Sequence, residues 1–136
     1  MKPFKEYITE GKVKIDYPDS AMAKSLFLQA RIRLADLNKL QITDKNASFR
    51  FESAYETIRE AVQSAMAKEG YKPYSHEATV SYAADKNILN ESETATFDRY
   101  REIRNDINYR GEKTTIQNAK EAIKFAKKVL SKIRNL

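Results

Sequence analysis

The chain has 136 residues, of which 41% are hydrophobic and 32% charged, and its formal net charge is +6. That length suits one domain that buries about two-thirds of the surface its unfolded form exposes. It has no Cys and a single His, His76, which excludes disulfides, thiolate metal sites and multi-histidine metal sites. No run approaches the ~20 apolar residues of a membrane span. The opening MKPFKEYITEGKVK lacks the apolar core of a signal peptide. The expectation is a cytoplasmic protein with no membrane association and no cofactor.

Few breakers, three Gly and three Pro, in a chain rich in Ala, Lys, Glu, Leu and Ile argue for long helices. Residues 1–17 hold a small apolar cluster (Phe4, Tyr7, Ile8) and then EGKVKIDYP, read as a short helix and an extended linker. Asp19 or Ser20 can cap a first long helix at about 19–40, with Met22, Leu26, Ala30, Arg33/Leu34, Leu37 and Leu40 at helical spacing. Thr43 and Asp44 can cap a second at about 45–69. Its stripe of Phe51, Tyr55, Ile58, Val62 and Ala65 has the clearest period in the chain, and Gly70 stops it as a left-handed cap. Ser75 opens a short helix through Ala84, and DKNILN reads as a loop.

Ser92 opens a third long helix with acidic residues in its first turn and Phe97, Tyr100, Ile103 and Ile107 on its apolar face, ending at Gly111. Thr114 or Thr115 caps the last, where Ile116, Ala119, Ile123, Ala126, Leu130 and Ile133 alternate steps of three and four among lysines. No strand-like alternation of useful length is present. The fold class expected is all-α: an antiparallel bundle of four to five helices forming one domain over 1–136.

Charge is uneven. Residues 98–136 carry eleven Lys and Arg against five Asp and Glu, a surplus equal to the whole net charge. Such asymmetry favours a polyanionic partner; the plain alternative is a solvated lysine-rich helix face. No glycine-rich phosphate loop, HExxH or Ser/His/Asp arrangement is present, and His76 alone reads as a surface or loop histidine. The stretch RNDINYRG, residues 104–111, stands out. On a helix Arg104 and Asn108 share a face, as do Arg101, Asn105 and Tyr109. Arg104 falls on the border of the apolar stripe, where a partly desolvated guanidinium needs an anionic or carbonyl partner, whether Asp106, a facing subunit or a ligand phosphate. The alternative is a polar helix end serving solubility and capping.

Arg104-Asn105-Asp106-Ile107-Asn108-Tyr109 resembles, in phase, the Arg-Asn-x-x-x-His hallmark of HEPN domains (higher eukaryotes and prokaryotes nucleotide-binding). FRFESAYETIREAVQSAMAKEGYKPYSHEA resembles the second long helix of the small prokaryotic members. RYREIRNDINYRGEKTTIQNAKEAIKFAKKVL resembles their last two helices, and ITEGKVKIDYPDSAMAKSLFLQARIRL their N-terminal segment. The resemblance implies a helical bundle that dimerises through its motif helices, forming a composite cleft. In active members the motif Arg holds the scissile phosphate and the His does acid–base work in metal-independent RNA cleavage; many are toxins paired with a nucleotidyltransferase partner.

Here the His position holds Tyr109. An imidazole titrates near about 6.5 and a phenol near about 10, so the phenol is a poor general base at neutral pH. The expectation is therefore a homodimer that binds RNA or a nucleotide through Arg104, Asn105, Asn108, Tyr109 and Arg110, with impaired or absent nuclease activity. One alternative is an endoribonuclease in which Arg104, Asp106 and Tyr109 are catalytic. Another is a dimerisation module in which Arg104 and Asp106 pair across the interface.

Overall fold

The computed structural model describes all 136 residues. Six helices and two short strands follow in the order α1 (Phe4–Thr9), β1 (Val13–Ile15), α2 (Ser20–Lys39), α3 (Ala47–Glu69), β2 (Tyr71–Pro73), α4 (His76–Asp85), α5 (Glu91–Arg110) and α6 (Ile116–Arg134). The chain is all-α in class, with 72% of its residues helical. The four long helices lie where their periodicity places them. No helix is long and apolar enough to cross a membrane.

The helix starts follow from local hydrogen bonding. Asp19 accepts the Met22 N–H at the head of α2, Ser75 the Ala78 N–H of α4 and Thr115 the Asn118 N–H of α6. Two caps differ from expectation. At α3 the N-cap is Asn46, whose side chain accepts no helix N–H: its Oδ1 accepts the Thr43 N–H at 2.8 Å while Thr43 Oγ1 accepts the Asn46 N–H at 3.4 Å, and Asp44 takes no part. At α5 the helix begins before Ser92. Asn90 Oδ1 accepts from Glu93 N, and Glu93 Oε1 accepts from Asn90 N, a reciprocal capping box.

The linker expected after α1 is partly strand. Val13–Ile15 pairs antiparallel with Tyr71–Pro73, with Val13 opposite Pro73. Alternation gave no signal because each strand is only three residues long, and only Val13 is buried. The ribbon ties the chain's start to the end of α3. Asp16 N–H donates to Gly70 O at 2.7 Å and Asp19 N–H to Ala67 O at 2.9 Å. Gly70 has φ +93°, and a Cβ there would collide with the Asp16 carbonyl oxygen.

α3 is the centre of the core. Phe51, Ala54, Tyr55, Ile58, Ala61, Val62 and Met66 are fully enclosed. Phe97 and Tyr100 of α5 meet Tyr55 and Phe51, and Tyr100 meets Phe125 of α6 edge-on at 5.8 Å. α2 differs: only Ala30 and Leu37 are buried, while Met22, Leu28, Ile32 and Leu40 are exposed, so the stripe expected on this helix is only partly covered.

α5 and α6 are clamped by Glu93. Its carboxylate is buried and meets Lys128 Nζ at 2.8 Å and Lys132 Nζ at 2.6 Å. Burial alone raises its pKa, but the Asn90 N–H and the two lysines outweigh this and hold it at about 2. Two stability predictions follow from these contacts. Gly70→Ala loses about 2 kcal/mol or more in urea denaturation, whereas Gly11→Ala, at φ +77° in open space, loses about 1 kcal/mol. Glu93→Gln loses about 2 kcal/mol at neutral pH. Because the folded pKa is depressed, the wild-type contribution is present above about 4.5 and fades as pH falls toward about 2; the Gln variant lacks that segment of the acid titration.

Candidate functional site

The last turns of α5 pack against the first half of α3 and the start of α4. Along α3, Glu52, Glu56, Arg59 and Gln63 recur at steps of four, three and four beside the apolar stripe, forming a half-buried polar edge. Arg59 donates from Nε to Glu56 at 3.0 Å and from Nη1 to Gln63 at 2.7 Å. Across from it on α5, Arg101 is largely buried and donates from Nε to Asp98 at 2.9 Å, with Glu77 of α4 at 3.8 Å. Both guanidiniums are thus neutralised by carboxylates.

Arg104 is different. The Asn108 amide, with its oxygen turned to Arg104, accepts from Nε at 2.9 Å and Nη2 at 3.2 Å, while its nitrogen donates to both oxygens of Glu52 at 3.0 Å. The order Arg104–Asn108–Glu52 fixes the guanidinium through a neutral amide. No carboxylate lies within 4 Å of Arg104, alone among the three arginines of this cluster, and its Nη1 has no hydrogen-bond partner. Asp106, one of the partners the sequence offers for Arg104, pairs instead with Arg110 at 3.6 Å, one turn on. Tyr109 is 76% exposed and lies 5.9 Å from the Arg104 guanidinium, a cation–π contact. Asn105 is half-buried between them in sequence and Arg110 is exposed. Gly111, left-handed at φ +65°, ends the helix and turns the chain away.

His76 is not a loop histidine. It is the first residue of α4, half-buried, and its ring stacks against Tyr55 at 5.9 Å. Its Nδ1 is 3.1 Å from the Tyr55 hydroxyl. Burial lowers its pKa first, and the nearby charges of Arg59, Arg104 and Arg101 push in the same direction against Glu56. Burial also raises the pKa of Tyr55, whose phenol stays protonated against the histidine. The fold therefore gathers His76 with Arg59, Arg101 and Arg104 from three helices, which no spacing in the sequence indicates. Glu69, which brackets the same turn in sequence, lies elsewhere, bound to the Tyr82 hydroxyl and Lys86. Glu52, Glu56 and Arg59 carry no mark in the sequence as site residues, and Tyr55 reads there only as part of the apolar stripe. The signal of the first three was a second, polar stripe at helical period beside the apolar one.

Chemically, the cluster offers a partly desolvated cation without a counter-anion, an exposed aromatic ring and a neutral imidazole. That set suits a phosphate and the base attached to it. No three His, Cys, Asp or Glu side chains converge as a metal set.

A protonation prediction belongs to this cluster. The depressed pKa keeps His76 neutral in the folded state, while the unfolded chain protonates it near 6.5. Its contribution is thus full above that pH and is lost as pH falls below it. Denaturation midpoints of wild type should fall between about pH 7.5 and pH 5.5, and His76→Gln should flatten that interval.

No protein-family model, no curated protein and no solved structure matches the chain.

Proposed function

We propose that this protein binds RNA or a nucleotide at the end of α5, as a HEPN-like dimer whose nuclease activity is weak or absent. The observation that carries the reading is Arg104: a half-buried guanidinium held in place by a neutral amide, with no carboxylate partner and a free Nη1. A cation so placed is incomplete without an anion, and a phosphate oxygen supplies one in a fork-shaped, directional contact. Tyr109 offers an exposed face for base stacking, and Arg110 adds a second, solvent-facing charge. Phe49, one turn before Glu52 on α3, is also exposed at 72%. That exposed ring, on the same helix as Glu52, supports a dimer contact on this face, where two copies of Arg104 form one composite cleft and where a nucleotidyltransferase-fold partner gains access.

Gel shift with a mixed-sequence RNA in the absence of metal tests this. Wild type shifts the RNA, and the affinity falls steeply as salt rises from about 50 to about 200 mM. Arg104→Ala weakens binding at least about tenfold, and Tyr109→Ala weakens it several-fold. No shift, or a shift indifferent to Arg104, removes the reading.

A second reading rests on His76. Its half-buried imidazole feels the Arg104 charge, which adds to burial and Arg59 in lowering its pKa, so an acid–base group is present in the same cluster even though position 109 is a tyrosine. On this reading the protein is a metal-independent endoribonuclease: Arg104 holds the scissile phosphate and His76 moves the proton. RNA cleavage that is lost in His76→Ala while the gel shift persists supports it over the binding reading. Cleavage that instead tracks Tyr109 restores the role that the sequence pattern assigned to that position.

A further inference from the structure

α2 and α6 both pack mainly on α3 and less on each other, and they leave a groove between them whose lining shares no residue with the α5 cluster. Two adjoining cavities occupy it, about 620 Å³ and about 370 Å³, which share Phe27, Arg31 and Arg134. Together they run along α2 from Ser20 to Asn38, opposite the last three turns of α6. Eighteen residues of helix span about 27 Å. The floor is apolar: Phe27 and Leu34 of α2, Ala65 of α3, and Leu130 and Ile133 of α6. Leu28, half exposed, forms part of the wall.

The rim is cationic. Lys24 and Arg31 stand on one side, Lys127 and Arg134 on the other, and Lys68 and Lys86 close the end. Glu69 is the sole acid along either cavity, and Lys86 and Tyr82 already engage it. Lys24, Arg31, Lys127 and Arg134 have no acidic partner within 4 Å.

We propose that this groove docks an amphipathic helix of a partner protein, one with an apolar stripe bordered by acidic residues. An open trough that runs the length of a helix, apolar beneath and edged by one sign of charge, matches a helix lying in a groove with complementary flanks. A second copy of this chain does not supply that helix. Its exposed apolar side chains on α2, Leu28 and Ile32, are flanked by Lys24 and Arg31, and α6 is basic over its exposed face. Two such grooves facing each other would bring only cations together. The α5 helix carries acids, but its Phe97 and Tyr100 are buried against α3.

The probe is a pair of designed, fluorescein-labelled helical peptides of about 18 residues. Both have Leu at steps of three and four; one has Glu on both flanks, the other Lys. Fluorescence anisotropy is read with wild type and with the double variant Arg31→Glu/Lys127→Glu. Both substituted side chains are exposed and unpaired, so the fold is retained, as circular dichroism checks. If the double variant fails to fold, Lys127→Glu alone serves.

The acidic peptide binds wild type and loses about tenfold in the double variant. The basic peptide ignores wild type and binds the double variant. Binding of the acidic peptide also survives Arg104→Ala, which separates this groove from the α5 site. The proposal is overturned if neither peptide binds, if both bind wild type alike, or if charge reversal leaves the acidic peptide unaffected. It is equally overturned if dodecanoate binds with the same charge dependence and the peptides do not, which makes the groove a pocket for a small amphiphile.

Discussion

The packing of α3 is the constraint from which the rest of the architecture follows. A helix surrounded by neighbours must be apolar over most of its girth, and small residues such as Ala54 and Ala61 let those neighbours approach. α3 departs from this on two sides: toward α2 the buried Glu60 meets Arg33 at 2.9 Å, and a separate half-buried edge faces α4 and α5. There Glu52, Glu56, Arg59 and Gln63 replace the apolar side chains, and the helices that close over that edge, α4 and α5, must bring polar groups to meet them. His76, Arg101, Arg104 and Asn108 are those groups. The candidate site thus exists because a buried helix carries a polar stripe, and its position on the bundle was set when α3 chose which edge to leave hydrophilic.

The charges divide in an informative way. The basic surplus of the last third reads in the sequence as one feature, yet the fold spends its members differently. Lys128 and Lys132 hold Glu93 and join α6 to α5; Arg99 meets Glu121; Arg101 is neutralised among Asp98, Glu77 and Glu102. These are structural. Of the members left without a carboxylate, Lys113, Lys120 and Lys124 are exposed, Arg104 is half-buried at the end of α5, and Lys127 and Arg134 join other cations along the α2/α6 groove. A polyanion attracted by net charge alone has no reason to prefer either. The preference comes from shape: a single fixed guanidinium beside an exposed ring in one place, a long apolar trough in the other.

The long helices were legible because each carries a period of three and four over several turns, and helical period is a local property that a sequence displays directly. The same holds for the caps Asp19, Ser75 and Thr115 and for Gly70. The ribbon was not legible, since three residues cannot show alternation and the partner strand lies more than fifty residues away. Asn90 and Glu93 do carry the spacing of a capping box in the sequence, but Ser92 stands between them as a competing cap type. In RNDINYRG the helix end and the border position of Arg104 followed from spacing; the exposure of Tyr109 did not, since Arg101, assigned to the same face, is largely buried. Nor did the identity of Arg104's partner: Asp106 and Asn108 are both within one turn, and only the position of Glu52 across the interface decides for the amide.

That choice of partner bears on what the site can do. Had Arg104 paired with Asp106, the guanidinium would carry its own counter-ion, and any phosphate would have to displace a carboxylate. An amide partner fixes the orientation of the guanidinium and leaves its charge uncompensated. Glu52, one bond further out, orients the amide without touching the cation, so its negative charge is felt only at a distance. The arrangement separates positioning from neutralisation, which is what a site needs if its anion is to come from outside. Arg59 and Arg101, built from the same residue type in the same cluster, have carboxylates of their own. Their charge is absorbed inside the bundle, and their effect on the site is to add to burial in lowering the pKa of His76.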